Sequence, residues 1–217
     1  MSDQDTSDAI LDAAEELFAK QGFAATTTKQ IGSAAGVNPA LIHYYFGTKE
    51  GLYRALLRRL FESIMARGAE QLATSPAPDA AVRALIGIQS ETMVEHPSFP
   101  RLLARELVDH GMAHAGESLS RLSETLFRRL CELIRGGQEA GMFRRDMDPR
   151  FAALSVVSLV PYYHIARPAV GILLDSGPEG PDEEAMRAYG RHAAEFALAA
   201  LAARPDPSAA DTPGSQP

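Results

Sequence analysis

Gly36, Asn38 and Pro39 stand close together in TTTKQIGSAAGVNPALIHYYFGTKE, residues 26–50, and force one helix to stop and the next to start at once. Glycine tolerates the left-handed conformation that ends a helix. Asn followed by Pro supplies an N-cap and a preset first helical residue. Upstream, Thr26 to Thr28 can cap a first short helix, and Ile31, Ala34 and Ala35 give that helix an apolar side at three-to-four spacing. A second helix is expected from about Pro39 to Tyr45, with Ile42, Phe46 and in part Leu41 turned inward and Val37 plugging the turn. Thr48 caps a further helix that opens with Lys49 and Glu50. This is the layout of a helix-turn-helix, which offers its second helix to the DNA major groove.

Charge is distributed to suit that reading. The 217-residue chain is acidic overall, at −7, yet residues 26–59 hold Lys29, Lys49, Arg54, Arg58 and Arg59 against Glu50 alone. Phosphate contacts act at short range in salt, so a locally basic head on an acidic body suffices. Some of the three arginines are expected to form an ordinary solvated helix face. Hydrophobic content of 46% argues against disorder, and strand-type alternation is absent, so the expected class is all-α with about nine helices.

Other compartments and chemistries find little support. No run of basic then apolar residues opens the chain, which predicts no signal peptide. The single cysteine, Cys131, excludes an internal disulfide, fits a reducing compartment and reads as a small buried hydrophobe. Ala152 to Ala166, the longest nearly uncharged stretch, is too short to span a bilayer. The expected location is the cytoplasm, with no membrane partner. A phosphate loop, a nucleophile elbow and paired zinc motifs are all missing, so neither an enzyme nor a cofactor is expected.

Helical punctuation divides the remainder. Residues 1–6 are acidic and polar and are expected to be disordered. A first helix runs from about Ser7 to Gln21, with Ile10, Ala14, Leu17 and Phe18 inward and Gly22 as terminator. Beyond the turn, helices are expected over Lys49–Ala73, Asp79–Glu95, Phe99–His110, Glu117–Ala140, from Asp148-Pro149 to about Leu174, and over Asp182–Ala203. These give a head over 7–48, a body over 49–203 and a tail over 204–217 whose composition predicts disorder.

AILDAAEELFAKQGFAATT (residues 9–27), the Tyr-Tyr-Phe-Gly-Thr-Lys run and KEGLYRALL (residues 49–57) resemble the tetracycline-repressor (TetR) family of bacterial transcription regulators. HPSFPRLLARELVDHG and MDPRFAALSVVSLVPYYHIARPAV resemble its CecR-like branch. The resemblance implies a homodimer joined through its last two helices, bound to double-stranded palindromic operator DNA and released by a small-molecule effector. An activator of the same fold and a helical protein-binding adaptor are the alternatives. It also implies that Thr26, Tyr45 and Lys49 meet phosphate. Lys29, Pro39, Ala40, Leu41, His43 and Tyr44 would face the groove, with Thr28 and Thr48 in the same DNA-binding set. Family members often carry Lys or Ser at 39 and Gly at 40; Pro39 and Ala40 remove side-chain donors there, which leaves DNA shape a larger share of recognition. Independently, Ala193, Phe196, Ala197, Ala200 and Leu201 make a small-residue stripe suited to close helix pairing.

The effector pocket is sought between Pro161 and Pro168. Each proline deprives a carbonyl, near Val157 and near His164, of its helical partner. Tyr162, Tyr163 and His164 lie between the breaks and, with Arg105 and Phe127, are the candidate pocket residues. Glu106, His110 and His114 fall at four-residue intervals that would align them for zinc on one continuous helix, but Gly111 interrupts it and no metal is expected.

Overall fold

Gly22 decides how the chain begins. In the computed structural model, which describes residues 3–74 and 77–203, α1 spans Asp3–Ala25 but is broken at Gly22, whose φ of 83° and ψ of 169° lie outside the helical region. Residues 3–6, expected to be disordered, are helical. Asp3 and Asp5 sit where the helix dipole favours acids, the Gln4 amide reaches the Asp8 carboxylate, and the Tyr45 hydroxyl donates to Asp3 at 3.0 Å. Residues 204–217, expected to be a disordered tail, lie outside the described residues.

The turn forms as its residues dictate. α2, Thr28–Ala34, starts in a capping box in which Thr27 receives the Gln30 N–H and the Gln30 side chain receives the Thr27 N–H. Gly36 adopts φ 67°. α3, Pro39–Phe46, opens with the Ala40 N–H on the Asn38 carboxamide at 2.9 Å. α4, Lys49–Thr74, follows at once, with the Gly51 N–H on the Thr48 hydroxyl at 2.9 Å. Ile10, Ala14, Phe18, Ile31, Ile42 and Leu52 are completely buried between these helices.

The body consists of α5 (Pro78–Glu95), α6 (Phe99–His110), α7 (Gly116–Leu122), α8 (Arg128–Glu139), α9 (Pro149–Ile165), α10 (Arg167–Leu173) and α11 (Glu183–Leu201). α7 and α8 form one rod joined by a π-helical turn, Ser123–Phe127. Counted so, the described residues form ten helices and no strand beyond one isolated bridge. The additional helix comes from the expected 149–174 segment, which bends by 83° between α9 and α10. Pro168 explains the bend, since it cannot donate to His164 and disfavours helical backbone at the residue before it. Pro161 stays inside α9, because the Gln89 side chain donates to the orphaned Val157 carbonyl at 3.0 Å. No single described helix is long and apolar enough to cross a membrane; α9 and α10 pass that test only together, across the bend.

Burial creates one pH-sensitive position. His164 is 6% exposed and its Nε2 has no hydrogen-bond partner. Burial, with Arg167 adding to it, pushes the imidazole pKa from 6.5 down to about 4. A group whose folded pKa is depressed in this way is neutral in the native state, so acid favours unfolding. Its contribution is complete above about pH 6.5 and is lost as pH falls towards 4. At ~1.4 kcal/mol per pH unit of displacement, the loss is about 3 kcal/mol. Urea melts of wild type and His164→Leu at pH 7.5 and pH 4 should show the variant losing less stability on acidification; equal losses would contradict this.

Candidate nucleic-acid interface and ligand cavity

Fixed at both helix starts, α3 presents one face to solvent. Ile42 points inward, Pro39 and Leu41 are half-buried, and Ala40, His43 and Tyr44 are exposed, Tyr44 at 74%. Lys29 is exposed and Thr28 half-buried on the first turn of α2, and Thr48 is exposed beyond α3. The His43 Nδ1 lies 2.9 Å from the Gly47 carbonyl, which can only accept, so Nδ1 carries the proton. When the ring carries that proton alone, Nε2 is an acceptor suited to an exocyclic amino group of adenine or cytosine. The Tyr44 ring stands edge-on to Tyr45 at 4.9 Å, which leaves its hydroxyl free to reach DNA.

Several expected phosphate contacts have internal work. Thr26 is completely buried and its hydroxyl donates to the Gly22 carbonyl at 2.7 Å, so it closes the end of α1 and is not available to a phosphate. Lys49 donates to the Phe23 and Thr26 carbonyls at 2.9 and 3.0 Å and lies 4.3 Å from the Phe23 ring centre. Two of its three donors are thereby spent, and the third has no partner among the described residues. Tyr45 is half-buried, with its hydroxyl on Asp3. Arg54 pairs with Glu50, Arg58 with Glu62, and Arg59 with Asp12 and Glu15. These pairs reduce the apparent positive charge around the head, and Lys20 and Lys29 are its exposed cations without such a partner among the described residues.

A cavity of about 200 Å³ lies in the body. Phe61 and Ile64 of α4, Leu85 and Met93 of α5, Leu103 of α6, Leu126 and Phe127 of the π-helical turn, and Val156 and Pro161 of α9 contribute to its wall. Gln89 is the only lining residue with a polar side chain. One N–H of its amide is given to the Val157 carbonyl, which leaves the second N–H and the carbonyl oxygen without a partner among the described residues. The π-helical turn seats Leu126 against Gly68 of α4, where an added Cβ would come within 2.6 Å of a Leu126 methyl. One wall of the cavity is therefore also the helix that begins in the reading head.

The structure does not bring the predicted pocket residues together. Phe127 lines the cavity. Arg105 instead reaches the end of α1, 3.5 Å from the Lys20 carbonyl, and a Cβ on Gly22 would meet its guanidinium at 2.9 Å. Tyr162 is 67% exposed, Tyr163 stacks on Tyr189 at 3.8 Å, and His164 is buried away from the cavity lining. The prolines were informative about the orphan carbonyl but not about which face of α9 met the space. The overlooked signal was Gln89, a lone polar residue in the apolar series Val82, Leu85, Ile86 and Met93.

Comparison with known proteins agrees with this architecture. Residues 10–56 match the family described as "Bacterial regulatory proteins, tetR family", and residues 78–196 match "Tetracyclin repressor-like, C-terminal domain". The chain is 34% identical over 163 residues to the transcriptional repressor NicS of Pseudomonas putida, covering 75% of this chain and 77% of that protein. It is 31% identical over 146 residues to the repressor KstR2 of Rhodococcus jostii, covering 66% and 70%. Among solved structures, the ketosteroid regulator KstR2 of Mycobacterium tuberculosis superposes with a TM-score of 0.71 at 19% identity, over 91% of this chain and 95% of that one. These matches do not establish the CecR-like branch. Regulators of the matched family bind operator DNA and small-molecule effectors and act as dimers. A helix-turn-helix with α3 exposed, on an all-helical body matched along most of its length, identifies the chain as a DNA-binding transcriptional regulator of the TetR family and not an enzyme.

Proposed function

We propose that this regulator is a cytoplasmic repressor whose effector occupies the cavity against α4. The observation that carries the reading is the shared wall: Phe61 and Ile64 belong to α4, the helix whose first residue, Lys49, follows the head directly. A ligand that displaces α4 changes the separation of two heads in a dimer, and heads that no longer fit successive major grooves release the operator. The names of two relatives above as repressors support that sign of regulation. An apolar cavity of ~150 Å³ accepts benzene, so this one suits a somewhat larger, mainly apolar molecule with one donor for the Gln89 oxygen. The dimer is proposed to form through α9 and α11, where Phe151, Leu154, Tyr162 and Phe196 are exposed. Ala193, Ala197 and Leu201, first expected at that interface, are buried within the chain, so the available stripe of α11 runs through His192, Phe196 and Ala200.

The experiment is a thermal-shift screen of small apolar compounds, followed by operator titration with each hit. A ligand that fills the site raises apparent stability by mass action and is expected to weaken operator binding at least tenfold. Val157→Trp, which fills the cavity from α9, should abolish both effects. A hit that this substitution blocks, yet that leaves operator affinity unchanged in wild type, would overturn the reading.

A further inference from the structure

Gly111 does not separate Glu106 from His114; it brings them together. α6 ends with Gly111 at φ 56°, and Met112 follows at φ 68°, so the chain turns back on itself. The ligating atoms of Glu106, His110 and His114 consequently lie within 4.8 Å of one another. Glu106 is completely buried, and one carboxylate oxygen, Oε1, accepts the N–H groups of His114 and Ala115 at 2.7 and 3.3 Å. Those two bonds orient the carboxylate, and its other side is met by His114 Nδ1, 3.1 Å from the second oxygen, Oε2, and by the Tyr53 hydroxyl. Among the described residues no hydrogen bond accounts for the His110 imidazole, whose ring centre lies 4.7 Å from that of His114.

We propose that Glu106, His110 and His114 form a binding site for a divalent transition metal of the zinc type. Tetrahedral zinc takes imidazole and carboxylate ligands at ~2.0–2.2 Å, which places neighbouring ligand atoms about 3.3 Å apart. The Oε2–Nδ1 separation already matches, and rotation of the His110 side chain closes the remainder. Two imidazoles and one carboxylate leave a fourth position for water or another donor. A carboxylate, that of Glu50, held by Arg54 at 2.8 Å, also stands near the second ring nitrogen of His114. A metal-bound histidine characteristically directs its second ring nitrogen at a carboxylate, and His114 Nε2 lies 4.0 Å from Glu50 Oε1. Glu50 stands in the first turn of α4, and the Phe23 and Tyr53 rings lie 5.5 and 5.3 Å from His114. The ligands lie in the body, and around them stand Phe23 of the head and Glu50 and Tyr53 at the start of α4, so a bound ion ties head and body together at the joint.

Metal-free, tag-free protein titrated with Zn²⁺ by calorimetry, and with Co²⁺ by absorption spectroscopy, tests the site. One ion per chain and the intense visible bands of four-coordinate Co²⁺ are expected. His110→Phe keeps a ring against Phe23 and Tyr53 but removes a ligand; it should retain the wild-type circular dichroism and melting temperature in the absence of metal, and lose at least a hundredfold in affinity. Glu106→Gln, which still offers an oxygen to the two amides, should lose as much. Glu50→Gln should weaken binding about 10–100-fold, as loss of an outer-shell partner does. His96→Phe, outside the cluster, should leave the metal affinity unchanged. Absence of Co²⁺ bands in wild type, or Zn²⁺ affinity unaltered in a folded His110→Phe protein, would overturn the proposal.

Discussion

Phe196→Glu is expected to leave the protein monomeric at micromolar concentration and to remove specific operator binding. Phe196 is 58% exposed on α11, beside the exposed Phe151, Leu154 and Tyr162 of α9. Large apolar side chains exposed together on neighbouring helices need a cover, and in the proposed dimer a second copy supplies it. Two-fold symmetry places every substitution in the interface twice. Each buried, unpaired carboxylate costs about 3–5 kcal/mol, so the two together weaken dimerisation by a factor on the order of 10⁴ or more. A monomer brings one head to a palindrome and loses the advantage of tethering the second. Sedimentation velocity reads the first effect and an operator titration the second. Phe196 lies outside the described core, so the melting temperature extrapolated to low protein concentration should change little. A dimer that persists would place the interface elsewhere.

The second large effect is expected at Lys49. Its ammonium ties the Phe23 and Thr26 carbonyls to the start of α4, at the place where α1 ends and the helix-turn-helix begins. Charge-assisted hydrogen bonds are worth ~1.5–3 kcal/mol each when intact. Lys49 is half-buried, so solvent screening reduces the worth of its two bonds, and Lys49→Ala should destabilise the protein by about 2–3 kcal/mol. It should also weaken operator and random DNA alike, because the one ammonium proton not spent internally is available to a phosphate. The slope of log affinity against log salt should fall in magnitude by about one per head. A protein with full stability and lost DNA affinity would make Lys49 a phosphate contact alone; lost stability with an unchanged salt slope would make it an internal clamp alone.

The head was legible in the sequence because its instructions are local. Gly36, Asn38, Pro39 and Thr48 each act on backbone groups within three residues, and each does so here as its chemistry requires. Thr26 shows where local reading ends. Its exposure depends on how the break at Gly22 folds the chain back, a contact between separate turns that neither residue type specifies. Asp3 to Thr6 make the same point, since the Tyr45 hydroxyl that holds the first turn comes from a residue 42 positions away. In the body, Pro161 and Pro168 look alike in sequence but differ in outcome. Gln89 on α5 satisfies the carbonyl freed by Pro161, so α9 continues; Pro168 forces the turn into α10. The pocket was missed for the same reason: the face of α9 that meets the cavity is set by packing against α5 and the π-helical turn, not by α9 itself.

Whether the exposed face of α3 reads a defined DNA sequence is decided by fluorescence anisotropy. A labelled duplex from the region upstream of the protein's own gene is titrated beside a scrambled duplex of the same composition, with wild type and with Tyr44→Ala. Wild type should bind the upstream duplex at two chains per site, at least about 10³-fold more tightly than the scrambled one at the same salt. Tyr44→Ala should shrink that ratio tenfold or more and leave binding to scrambled DNA unchanged. Equal wild-type affinity for both duplexes, or a ratio untouched by the loss of Tyr44, would contradict the account.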